Sequence, residues 1–210
     1  MSDELELTVL TTEHYTLQSA RQACLQDMQG RATLFLYSVS AVLVALGFMA
    51  SASARQQFIV FSVTLLSALW VLGILTFLRL GQLAVEDTII VFGISRIRHR
   101  YLELQPALEG MFVRSIHDDL TGLQEEMGAS RAWWQFLMPT TTAVSFVDSV
   151  VGGADLSVIL SASLHVSLMI AVVAGVLGGV LNMTVLTLMR SLWPGLERYP
   201  AKFPSSSKTR

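Results

Sequence analysis

Between Arg31 and Arg55, and again between Arg55 and Arg79, lie 23 consecutive residues without a charged side chain. A helix crossing the ~30 Å hydrocarbon layer of a bilayer needs about 20 such residues. This pair of runs therefore restricts the chain to folds built on membrane-spanning helices. The joint between them, Ser51-Ala-Ser-Ala-Arg-Gln-Gln57, is short, so 32–79 reads as a tight antiparallel transmembrane hairpin. Composition agrees: charged residues are 14% of the 210, against about 25% in soluble domains.

The second span does not stop at Arg79. No proline interrupts Gln57 to Leu104, and beyond the arginine Leu83, Ile90, Ile94, Ile97, Tyr101 and Leu104 share one alternating 3/4 spacing, with Asp87 the only polar residue on that seam. Such a pattern belongs to a helix packing on a partner outside the membrane. At ~1.5 Å per residue the stretch would reach ~70 Å, so a helical stalk is expected to continue from the span. Pro106 breaks it, and 107–131 is expected to return as a second arm of similar length, giving a cytoplasmic helical hairpin over 80–131. Arg96, Arg98 and Arg100 on the first arm face a sequence with Asp118, Asp119, Glu125 and Glu126 on the second. Gly110, Gly122 and Gly128 weaken the returning helix by up to ~1 kcal/mol each.

Downstream, Trp133 and Trp134 open a third span over 133–153, with a kink expected at Pro139 and Asp148 near its far end. The 34 residues between Asp155 and Arg190 carry no charge and hold the fourth, so 132–190 reads as a second transmembrane hairpin. Residues 1–31 form an N-terminal segment. Its first ten residues are expected to fray, with a helix start at Thr11-Thr12-Glu13 and an amphipathic helix through Leu17, Ala20, Cys24 and Met28. The tail over 191–210, with three consecutive serines, reads as disordered. The fold class is thus an all-α membrane protein with four transmembrane helices in two hairpins.

Lysine and arginine orient it. Thirteen of the 14 basic residues fall in the N-terminal segment, the 79–131 connection and the tail, and only Arg55 lies opposite. Both termini and the long connection are therefore expected to be cytoplasmic. No apolar run follows the acidic start, so no cleavable signal peptide is expected.

No catalytic motif, phosphate loop or zinc-spaced cysteine pair occurs, and Cys24 is the single cysteine. Neither an enzyme nor a cofactor or metal site is expected. Asp148 and His165 form the candidate intramembrane polar pair, since ionisable groups in lipid are costly and face partners or water. An interfacial position for both, within reach of water, is the favoured reading, and no charge is expected midway through a span. Arg96, Arg98 and Arg100 could take an anionic ligand such as a nucleotide, although pairing with the acidic arm is favoured. His117-Asp118-Asp119 has metal-ligand chemistry without a fourth group at a telling spacing. Ala171, Gly175 and Gly179 form a small-residue ridge that lets helices approach closely, either within the chain or between copies. Asn182 could hydrogen-bond across the same interface.

The runs Thr11-Thr-Glu-His-Tyr-Thr-Leu-Gln18, Gly30-Arg-Ala-Thr-Leu-Phe-Leu36, Gly93-Ile-Ser-Arg-Ile-Arg98 and Phe146-Val-Asp-Ser-Val-Val151 together resemble a family of bacterial four-span membrane proteins with no assigned activity. The resemblance implies a bacterial inner-membrane setting and no mechanism. Two function classes follow. One is a non-enzymatic, oligomeric channel, sensor or membrane effector controlled through its cytoplasmic stalk by a protein or nucleotide partner. The other is a small dimeric transporter using Asp148 and His165. Lipid is the expected environment, and no nucleic acid is an expected partner.

Overall fold

Two helices of unusual length carry the chain: α1 over Ser2–Ala52 and α2 over Arg55–Leu104. At 51 and 50 residues, each is about 75 Å long. A 3-10 turn, Pro106–Leu108, follows, then α3 over Leu120–Glu126, α4 over Thr140–Ser163 and α5 over Leu168–Ser191. The computed structural model describes residues 2–52, 54–126, 140–163, 166–191 and 199–205, with no strand among them. Helices α1, α2, α4 and α5 are each long and apolar enough to cross a membrane. Trp133, Trp134, Pro139, Met127, Gly128 and His165 lie outside the described residues.

The chain divides into two compact units. Unit 1 gathers Met1–Asp27, Gln82–Gln135 and Pro194–Arg210; unit 2 gathers Met28–Gly81 and Phe136–Trp193.

In unit 1 the expected seam is real but its partner differs. Leu83, Ile90, Ile94 and Ile97 are buried, and the first half of α1 packs beside them. Leu17 lies where a Cβ on Gly93 would meet it at 3.0 Å, and the buried Cys24 thiol donates to the Leu83 carbonyl at 3.3 Å. The returning arm is no 25-residue helix. Gly110 takes a left-handed φ of 81°, 111–119 is irregular, and among the described residues of this arm only the seven of α3 are α-helical. Residues 2–10 are helical and not frayed, and Thr11 is no cap. The hydroxyls of Thr8, Thr11, Thr12 and Thr16 all donate to carbonyls four residues back, which places them inside α1. Contacts to α2 hold these early turns: Glu6 pairs with Arg100 at 2.7 Å and Tyr101 donates to Thr11.

In unit 2 all four helices meet in one apolar core: Phe35 of α1, Leu66, Leu69 and Phe77 of α2, Val144 and Val151 of α4, and Leu186 of α5. The boundary expected at 153–155 is displaced by about ten residues. α4 runs through Gly152-Gly153 and Asp155 to Ser163, and 164–167 separates it from α5. The glycines serve close approach instead of a break. A Cβ on Gly153 would lie 2.6 Å from the Gly175 carbonyl oxygen, and one on Gly152 would lie 2.7 Å from the Trp70 indole. The Ala171-Gly175-Gly179 ridge accordingly packs on α4 of its own chain. Ala171 is fully buried, Gly175 meets Gly153 and Ser157, and a Cβ on Gly179 would lie 2.7 Å from the Ser149 carbonyl. The glycines therefore give no support to association between copies.

Candidate functional site

α4 presents a polar stripe to its neighbours inside unit 2. Thr141, Thr142, Ser145, Asp148, Ser149 and Asp155 are all buried, although the helix is otherwise apolar. The hydroxyls satisfy themselves along the helix: Ser145 donates to the Thr142 carbonyl at 2.9 Å and Ser149 to the Ser145 carbonyl at 2.7 Å. The carboxylates cannot do this, because an ionised carboxylate has no hydrogen to give. They need donors from other helices.

Each finds one. Asp148, 0% exposed, accepts through Oδ2 from the Asn182 amide of α5 at 3.1 Å, and the same amide donates to the Ser149 hydroxyl at 3.2 Å. Asp155 accepts through Oδ2 from the Ser67 hydroxyl of α2 at 2.6 Å. In both residues Oδ1 is buried without a partner among the described residues, as is Nε1 of Trp70, which lies between Ser67 and Gly73 on α2. Oδ1 of Asp148 lies against Gly73, where a side chain would occupy its place. Seven residues apart, the two carboxyls share one helix face and are separated by ~10 Å along it.

This corrects the expected position of Asp148. It is the ninth residue of α4, well inside the helix, and Asp155 is the sixteenth. Two ionisable groups thus sit well inside a helix long enough to span, where Asp148 alone was expected, near the far end. The third span had been expected to end at residue 153, which put Asp148 close to its end. His165 is outside the described residues, so the Asp148–His165 pair is not placed; Asn182 is the partner observed. Asp155 and Ser67 had not been singled out. The signal for them was an i, i+7 carboxylate spacing crossing Gly152-Gly153.

In unit 1 the arginines are taken up by carboxylates, Arg96 and Arg98 on the acidic arm as favoured and Arg100 elsewhere. Arg96 pairs with Asp118, Arg98 with Glu126 at 3.0 Å, and Arg100 with Glu6 and Glu103 at 2.7 Å each. They go to separate partners and do not converge as one triad. Glu126 also receives Arg21 at 3.2 Å and Arg114 at 2.8 Å. Burial opposes its ionisation, yet the Arg114 and Arg98 bonds hold its carboxyl below the usual range.

Asp118 and Asp119 hold residues 202–205, part of the tail that was expected to be disordered. The backbone N–H groups of Lys202 and Phe203 donate to Asp118 at 2.8 and 2.7 Å, and the Ser205 N–H donates to Asp119 at 2.9 Å. Arg96 reaches both Asp118 and the Pro200 carbonyl, and the Phe203 ring stacks on His99 with centroids 3.9 Å apart. Burial works against ionisation of Asp118, but the Lys202, Arg96 and Phe203 donors prevail and lower its pKa; for Asp119 burial is likewise outweighed by Ser205 and Gly122. A hydrophilic tail reads as disordered because backbone capture leaves no apolar signature. Among the described residues no three His, Cys, Asp or Glu side chains are grouped to hold a metal; the His117-Asp118-Asp119 carboxylates are committed to the tail.

No protein-family model, curated protein or solved structure matches the chain, so nothing in these comparisons identifies a family for it. Its class rests on the fold: an all-helical protein with four helices fit to cross a membrane.

Proposed function

We propose that this chain is a non-enzymatic membrane protein that handles protons or small cations at the α4 carboxylates. The observation that carries the reading is the half-satisfied state of Asp148 and Asp155, each buried within a candidate span with one oxygen unpartnered among the described residues. A buried carboxylate without a countercharge is relieved by taking up a proton or a cation. Two such groups ~10 Å apart on one face, with the Asn182 amide and hydroxyls beside them, form a succession of exchange positions. This favours the transport class, with Asp155 in the place given to His165.

Reconstituted vesicles test it. With a pH dye inside and an imposed potassium diffusion potential, wild-type protein should acidify the lumen, and Asp148→Asn and Asp155→Asn should each lose most of that flux. Flux equal to protein-free vesicles, or equal in Asp148→Asn, defeats the reading.

A second reading has its own observation. α1 and α2 each contribute to both units without a helix break, and a continuous helix transmits displacement or rotation along its axis. On this reading unit 1 is a cytoplasmic stalk through which a partner or ligand controls the membrane unit, as in a channel, sensor or effector of a bacterial inner membrane. Flux in the vesicles above that depends on an intact unit 1 supports it.

A further inference from the structure

Unit 1 contains an open pocket of about 470 Å³ whose walls come from α1, α2 and the C-terminal segment. Its floor is apolar, built from Leu10, Ile97 and Phe203, and its rim carries Arg96, Arg100 and Lys202 with Glu103 beside them. We propose that this pocket binds a phosphate-bearing ligand of mononucleotide size, a phosphate monoester with an apolar or heterocyclic body.

The donor arithmetic supports an oxyanion. Arg96 spends Nε on Asp118 and Nη2 on Pro200, and Arg100 spends Nε on Glu6 and Nη1 on Glu103. A guanidinium has five N–H donors, so Nη1 of Arg96 and Nη2 of Arg100 keep theirs unspent among the described residues. Lys202 adds the decisive charge. Its ammonium forms no ion pair among the described residues and stands 5.2 Å from the Phe203 ring centroid. Three cationic groups from two chain segments thus border one volume, and a tetrahedral phosphate accepts from several directions at once. The volume lies within the range of small-molecule sites, and Leu10 and Ile97 offer apolar contact to the rest of the ligand. Glu103 repels an anion placed directly on it, which directs the phosphate towards Arg96 and Lys202 and leaves the carboxylate to accept from ligand hydroxyl or amino groups.

Neither the set nor its geometry is the Arg96, Arg98 and Arg100 cluster considered from sequence as the less favoured reading. Arg98 is withdrawn to Glu126, and Lys202 arrives only because Asp118 captures the tail. The proposal supplies a ligand for the second reading above, but it concerns binding alone, so its failure and that of ion passage are separable.

The experiment uses the full-length protein in mild detergent, titrated with inorganic phosphate, AMP, ADP and ATP by calorimetry. A parallel arm measures binding to phosphatidylcholine vesicles with and without phosphatidic acid. Saturable nucleotide binding is expected, weakened about tenfold or more in Lys202→Glu, as loss of a charge-assisted hydrogen bond implies. That variant leaves the backbone N–H donor to Asp118 in place, so its unliganded melting midpoint should match wild type. Phosphatidate-only binding that Lys202→Glu abolishes identifies a lipid headgroup as the source of the same chemistry. No binding in either arm, or binding that Lys202→Glu leaves unchanged, overturns the proposal.

Discussion

Asn182 of α5 donates to one oxygen of Asp148 on α4 at 3.1 Å, while the other oxygen is buried without a donor. The amide is thus the one side-chain donor Asp148 has among the described residues. An unmade bond to a buried polar group costs about 1–3 kcal/mol, and interhelical bonds in lipid average less, about 0.6. Asn182→Leu is therefore expected to destabilise the protein by about 1–2 kcal/mol in denaturant unfolding. The same change in an Asp148→Leu background should cost well under half as much, because no acceptor remains. Equal costs in the two backgrounds would show that the amide acts independently of the carboxylate.

The clasp on the tail predicts a local release. Asp118→Ala removes the acceptor for two backbone N–H groups and for Arg96. Trypsin cleavage at the Lys202–Phe203 bond, followed by mass spectrometry, should accelerate at least several-fold with little change in cleavage elsewhere. An unaltered rate at that bond counts against the clasp.

Its pH dependence has a definite sign. Asp118, Asp119 and Glu126 all have folded-state pKa values below their ordinary ones. A lowered carboxyl pKa stabilises the folded state above the unfolded value, and that contribution disappears as pH falls through the folded one. Protection of Lys202–Phe203 should be constant from neutral pH down to the ordinary aspartate range and be lost only below it. Loss of protection between pH 7 and 5 would assign the clasp to a group other than these carboxylates.

The seam of α2 was legible because its residues recur at helical spacing and one face must be covered. Ile94→Asp or Ile97→Asp should destabilise unit 1 by several kcal/mol, since a charge enters a buried apolar position. Wild-type melting of both variants would show the seam to be open. What covers the seam was not legible. Charge complementarity pointed to the returning arm, and Arg96–Asp118 and Arg98–Glu126 do form, yet the apolar partner is the first half of α1. Periodicity reports that a face is buried without naming its neighbour. The buried carboxylates were half legible. Asp148 stood out as a charge in an apolar run, whereas Asp155 looked like the edge of the next run. Gly152 and Gly153 sit where α4 closely approaches the Trp70 indole of α2 and the Gly175 backbone of α5.

Orientation rests on the basic-residue count and predicts Arg55 outside and Pro106 inside. Single cysteines at these positions in a Cys24→Ala background should label with a membrane-impermeant thiol reagent only at 55 in intact cells. Labelling at 106 reverses the topology. Cys24 itself is buried, and burial pushes its thiol pKa up, so background labelling should be slow even before its replacement.

The α4–α5 contact yields the sharpest stability prediction, because it separates two uses of one ridge. In lipid, helices associate through close packing and polar bonds, without a water-driven term. Gly175 and Gly179 meet backbone atoms of Gly153 and Ser149, and backbone cannot swing aside as a flexible side chain can. Gly175→Ile with Gly179→Ile should therefore force α5 off α4 and cost about 3 kcal/mol or more, since overpacking costs about 1–3 kcal/mol per site. Asn182 and Asp148 would then lose register, so the variant should also lose whatever ion passage the wild type shows. Val176 sits between them on the exposed face, and Val176→Ile enlarges a side chain there without a clash, so it should behave as wild type. Melting midpoints and native mass, measured together, distinguish the outcomes. A double-isoleucine protein of normal stability but altered oligomer number would return the ridge to an interface between copies, against the packing described here.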